Sequence, residues 1–128
     1  MSAPSVAPVV KRLSQEQVAR YADAAGDHNP IHVDEAFARA TPFGGTIAHG
    51  MLVLASISEM MAASFGEAWL RGGKLRVRLR APARTADTIT ASAEAQAPRD
   101  GALVYAVECR NQSGELLISG TAEVPGGG

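Results

Sequence analysis

Two hydrophobic periods divide the chain. From residue 74 onward, apolar and polar side chains alternate one for one. Leu75, Val77, Leu79 and Ala81 interleave with Lys74, Arg76, Arg78 and Arg80, the pattern of a strand with one dry face. "TITASAEAQA" (88–97) repeats it with Ile89, Ala91, Ala93 and Ala95 on one side. "ALVYAVECRNQ" (102–112) and "GELLISGTAEV" (114–124) complete a run of antiparallel strands. "PRDG" and Ser113-Gly114 supply turn residues between them.

Before residue 74 the period is helical. In "LSQEQVARYADAAG", Val18, Tyr21, Ala22 and Ala25 recur at helix spacing. Ser14 is placed to cap this helix, with Gln17 three residues on. Leu13 and Val18 form the hydrophobic staple and Gly26 stops the helix. "DEAFARAT" predicts a short helix capped by Asp34, with Phe37 facing inward. Residues 47–65, "IAHGMLVLASISEMMAASF", predict a long helix that is apolar on most sides and therefore largely buried. Gly66 and Gly72-Gly73 then break the chain, and residues 1–10 read as a loose lead-in or a short edge strand. The terminal residues 125–128 read as a flexible tail. The order predicts an α+β domain in which a curved antiparallel sheet covers a long helix. Four or five strands leave a sheet edge open, and a homodimer is the economical way to cover it.

Composition narrows the classes. The 128 residues suit one domain, 46 % apolar residues suit a globular chain, and a net charge of −1 gives no field for nucleic acid or an anionic membrane. Cys109 is the only cysteine, so no internal disulfide is available. The N-terminus lacks a signal-peptide pattern, and the cytoplasm is the expected compartment.

The chemistry concentrates in "AGDHNPIHVD", residues 25–34. Pro30 fixes its own φ and pushes Asn29 out of the helical region, which predicts a rigid irregular turn. On it, the carboxylate of Asp27 and the imidazole of His32 could polarise one water, with Asn29 orienting the turn. Taken singly, each of these residues reads as an ordinary turn or packing residue. His28 and Asp34 take such ordinary duties. A second element is "IAHGM", residues 47–51. Gly50 admits close approach to a backbone N–H in the first turn of a helix, where developing negative charge is favoured. No cysteine or carboxylate set gives zinc-ligand spacing around His49, which reads as structural or as a supporting member of the site.

Together, "GDHNPIHVDEAFAR" and "PFGGTIAHGMLVLASIS", with a weaker match in "LRAPARTADTITASAEA", resemble the MaoC-like (R)-specific enoyl-CoA hydratases of the hot-dog fold superfamily. The resemblance spans about residues 14–124. It implies a hot-dog fold in dimers and a trans-2-enoyl thioester substrate hydrated to a (3R)-3-hydroxyacyl product. It implies Asp27 and His32 as the catalytic pair, Gly50 N–H as the thioester-carbonyl donor, and Asn29 with Pro30 in support. Ser58 and Met61 match the family's acyl pocket, and His49 adjoins the carbonyl site. No metal or redox cofactor is implied, and coenzyme A enters as part of the substrate. Ala86 stands where the family has a glycine, and Ala83 where it has a valine. The basic stripe from Lys74 to Arg80 reads as a solvated face; alternatively one of its members, Arg84 or Arg71 meets the phosphates of coenzyme A.

Other functions compete. A 3-hydroxyacyl dehydratase working on an acyl carrier protein would use the same residues. A hot-dog thioesterase would need a carboxylate on the long helix, where only Glu59 is available. A non-catalytic acyl-CoA-binding subunit would have no use for Asp27, Asn29 and His32.

Overall fold

The computed structural model describes residues 3–126. The chain order is β1 (Val9–Arg12), α1 (Gln15–Ala25), α2 (Pro30–Val33), α3 (Glu35–Arg39), α4 (Gly50–Phe65), α5 (Glu67–Gly72), β2 (Lys74–Leu79), β3 (Thr88–Arg99), β4 (Ala102–Arg110) and β5 (Leu116–Pro125). The five strands form one antiparallel sheet in the order β1-β3-β4-β5-β2. Helix α4 packs on its inner face, giving the sheet-covered long helix that the sequence pattern predicts and the hot-dog fold that the resemblance implies. No helix among the described residues is long and apolar enough to cross a membrane.

Register explains why the alternation works. Ala91, Cys109, Ile118 and Leu79 are successive partners across β3, β4, β5 and β2, so they form one inward row. Side chains on one face of a strand recur every second residue, so the next row is Ala93, Val107, Gly120 and Val77. Against these rows α4 buries Val53, Ser56, Ile57, Met60 and Met61, a stripe at helix spacing. Ser56 satisfies its hydroxyl on the Val53 carbonyl at 2.7 Å. The outer face carries the basic stripe, and Arg80 donates to Ser119 Oγ at 2.6 Å.

Four local expectations need correction. Helix α4 begins at Gly50, because Ile47 is held in an isolated bridge to Arg84 and His49 has extended backbone. Nor is it buried on most sides. A sheet of five strands covers one stripe only, while Met51 is 60 % exposed. Phe37 is 47 % exposed, and Ala38 takes the inward position because a methyl group permits closer packing of so short a helix. The chain does not simply break after Gly66: the six residues of α5 bring Trp69 into the core, where its indole N–H reaches Ser58 Oγ at 3.1 Å. At the termini, Val9 and Val10 lie in β1 and Pro125 closes β5; the expected flexibility of Gly127 and Gly128 lies outside the described residues.

Candidate active site

Local rules build the segment that carries Asp27 and His32. Helix α1 starts on Ser14, whose hydroxyl accepts from Gln17 N–H at 3.1 Å. It ends at Gly26, whose φ of 71° is left-handed. The stretch after it is more regular than an irregular turn. Asn29 Oδ1 accepts from Ile31 N–H at 3.2 Å, and Pro30 occupies the first helical position, where its fixed φ helps and its missing N–H costs nothing. Helix α2 results, and its third residue, His32, turns inward to 8 % exposure. Asp34 caps α3 through Phe37 N–H at 3.0 Å, and His28 pairs with Asp23 at 2.8 Å on the surface.

His32 is held in one tautomer. Its Nδ1 lies 2.7 Å from the Ile47 carbonyl, which can only accept, so Nδ1 carries the proton. Nε2 of the neutral ring is therefore the acceptor. Asp27 is exposed on the link between α1 and α2; one carboxylate oxygen accepts from Asn29 N–H at 3.3 Å. The Asp27 carboxylate, one nitrogen of His32 and one of His49 all lie within 4.8 Å of one another. One water making two hydrogen bonds of about 2.6–3.2 Å spans such a gap.

Those three donors form a cluster that the linear spacing does not reveal. The imidazoles of His32 and His49 stack, with centroids 3.8 Å apart and planes 24° from parallel. A metal ion must lie near the ring plane of each histidine, about 2 Å from its nitrogen. Stacked planes share no such point at the ring edges. The geometry suits an oxygen held between Asp27 and His32 better than a metal ion between two imidazoles.

Beside this pair a groove of about 280 Å³ opens between the start of α4 and the segment 79–83. His32 and Gly50 lie on its wall with Val53, Leu79, Ala83 and Ile118. Gly50 N–H, the first of α4, has no acceptor among the described residues. A side chain here would collide with the groove wall, since a Cβ on Gly50 would meet Leu79 Cδ1 at 2.9 Å. Ser58 and Met61 lie elsewhere: Ser58 is bonded to Trp69, Met61 is fully buried in the core, and neither lines this groove in the single chain. Glu59 lies away from it too, paired with Lys11 at 2.7 Å. The wall contributed by residues 79–83 has no signal in the sequence that links it to the site. The alternation in β2 puts Leu79 and Ala81 inward, but only the β2–β5 pairing and the bond from Ala48 N–H to Ala83 O (2.8 Å) bring them to Gly50.

The remaining titratable groups are peripheral. Hydrogen bonds from the hydroxyl and N–H of Thr46 hold the Glu35 carboxyl below the usual carboxylate range. Burial pushes the Cys109 thiol up.

Fold and site together define a hot-dog protein with a carboxylate–imidazole pair beside a free helix N-terminus. The same architecture is found in the (R)-hydratase from A. caviae involved in PHA biosynthesis, at a TM-score of 0.83 and 28 % identity over 98 % of this chain and 96 % of that one. Residues 3–115 match the family model described as "MaoC like domain", and the chain belongs to the MaoC-like family. In sequence it is 34 % identical to the (R)-specific enoyl-CoA hydratase of Aeromonas caviae over 119 residues, covering 89 % of this chain and 87 % of the relative. It is also 34 % identical to 3-hydroxyacyl-thioester dehydratase Z of Mycobacterium tuberculosis over 121 residues, 89 % of this chain and 73 % of that protein.

Proposed function

We propose that the protein is an (R)-specific enoyl-CoA hydratase, adding water across a trans-2-enoyl-CoA to give the (3R)-3-hydroxyacyl-CoA, and catalysing the reverse dehydration. One observation carries the reading: Asp27 and His32 are within reach of a single water, beside a groove on which Gly50 offers an unused N–H. The Asp27–His32 pair removes a proton from the water as its oxygen bonds to C3. The C2=C3 pair moves toward the thioester carbonyl, whose oxygen gains charge and accepts from Gly50 N–H. A proton delivered from the pair to C2 completes the product, so the elements of one water are added and nothing is oxidised or reduced. In this reading no metal or redox cofactor takes part.

Three further expectations belong to the proposal. His32, fixed by Ile47, presents its acceptor nitrogen without needing to rotate. A second copy of the chain covers the outward side of α4, where Met51 is 60 % exposed, and the nearby Leu79, 57 % exposed. The thioester carrier is coenzyme A, with an acyl carrier protein as the alternative that the same residues would serve. The Lys11–Glu59 ion pair disfavours a thioesterase, because it occupies the one carboxylate on α4.

The test is crotonyl-CoA with the purified protein, following loss of the enoyl absorbance and the chirality of the product. Asp27→Asn and His32→Ala are each expected to lower turnover by roughly a hundredfold or more. Free thiol released without hydration would make the protein a thioesterase. Near-normal turnover in either variant would remove that residue from the mechanism.

A further inference from the structure

His49 is the one buried ring of the site without a step in the reaction above. It is 3 % exposed and packs against two other rings, its centroid 3.8 Å from that of His32 and 4.8 Å from that of Tyr21. Its Nε2 is 2.9 Å from the Asp27 carbonyl, which can only accept, so Nε2 carries a proton. In the neutral ring Nδ1 is then a buried acceptor, and it has no partner among the described residues. An unpaired buried polar atom costs folding free energy. A phenylalanine would fill a similar space without that cost, so packing alone does not account for an imidazole here. What the imidazole adds is the N–H.

That N–H has a particular recipient. Asp27 lies on an exposed link of four residues, Gly26 to Asn29, between α1 and α2. Its own N–H reaches back to Ala22 O at 3.0 Å, which ties it to α1 only. The bond from His49 ties the Asp27 backbone to the start of α4. The same ring stacks on His32, and the next residue in sequence is Gly50.

Resting on the hydratase reading, we infer that His49 is a positioning residue that acts through Asp27 and His32. Its Nε2–H fixes the backbone of one, its face braces the ring of the other, and both are thereby referred to the Gly50 N–H. Misplacing a reacting group by about 1 Å can cost on the order of a hundredfold in rate, so this bracing is kinetically large even where it contributes little to folding.

Two variants separate the contributions. His49→Phe keeps a ring for the stack and loses the N–H; His49→Gln keeps an N–H donor of similar reach and loses the ring. His49→Phe is expected to lower kcat for crotonyl-CoA by about ten- to a hundredfold with KM nearly unchanged, and His49→Gln to recover a substantial part of that loss. Thermal unfolding of both variants checks that the fold is kept. Without substrate, the backbone amide resonances of His28 and Asn29 should move in His49→Phe and return toward wild type in His49→Gln.

The inference is overturned if His49→Phe turns over like wild type, if its loss lies wholly in KM, or if His49→Gln is no better than His49→Phe. Should His49→Phe fail to fold, His49→Met, similar in length to glutamine but without a donor, takes its place in the same comparison. If the wild-type protein hydrates no enoyl-CoA, the hydratase reading fails by itself. The amide resonances then decide the positioning role, and unmoved resonances in the variant lacking the donor refute it.

Discussion

Ala86→Gly should stabilise the protein. Ala86 has a φ of 79° in the turn before β3, a left-handed conformation that a Cβ disfavours. The conformation costs an L-residue about 1–2 kcal/mol. Glycine removes that cost but adds freedom to the unfolded chain, worth about 0.4–1 kcal/mol in the other direction. No burial is lost, because Ala86 is exposed. Nor is a hydrogen bond lost: Ala86 N–H donates to Leu13 O at 2.8 Å, and glycine keeps the N–H. The net expectation is a gain of about 0.5–1 kcal/mol. With an m-value of about 2 kcal/mol per molar urea, the unfolding midpoint should rise by roughly 0.3–0.5 M. Urea titrations followed by far-ultraviolet circular dichroism, at one protein concentration for both proteins, measure it directly. An unchanged or lowered midpoint at equal m would refute the reasoning, and with it the view that alanine here is a strained substitute for the family's glycine.

Three further outcomes are expected. Gly50→Ala should fold, because Leu79 is 57 % exposed and can swing away from the new methyl, yet lose about tenfold or more in kcat/KM as the methyl and the displaced Leu79 crowd the groove; full activity would take the thioester carbonyl away from this position. Cys109, fully buried with its thiol pushed up by burial, should resist an aromatic disulfide reagent in the native protein and react with one equivalent in urea. Thr46→Val should bring the Glu35 carboxyl back toward the ordinary range, read by carbon NMR titration. Because that carboxyl is depressed in the folded state, its contribution to stability is complete above the unfolded value and lost as pH falls through the folded one, so the variant should lose less stability on acidification than wild type.

What could be read from the sequence follows the range of the interactions. Ser14, Gly26, Asn29, Pro30 and Asp34 act within four residues of themselves, and their caps and stops are in the structure. The two-residue period puts Leu75, Val77, Ile89 and Ala91 on one side of a sheet without knowledge of the strand order. What stayed hidden depends on distant partners. The inward turn of Ala38 instead of Phe37 and the wall of residues 79–83 are set by contacts that no window of the sequence contains, and Trp69 meets Ser58, 11 residues back, only because the chain turns at Gly66. The stacking of His49 on His32 belongs with them. Each histidine is visible as a candidate, but the 16 residues between them carry no periodicity that predicts two rings 3.8 Å apart.

The bond between the start of α1 and the turn before β3 has a consequence for synthesis. Leu13 N–H donates to Asp87 O and Ala86 N–H to Leu13 O, both at 2.8 Å, while Ala48 N–H waits for Ala83 O. Every group assigned to the reaction lies between residues 27 and 50, yet the scaffold closing around them comes from residues 79–124. A nascent chain therefore displays its full chemical vocabulary well before it has any site. The ribosome must deliver the plain half of the sequence before the interesting half acquires a shape.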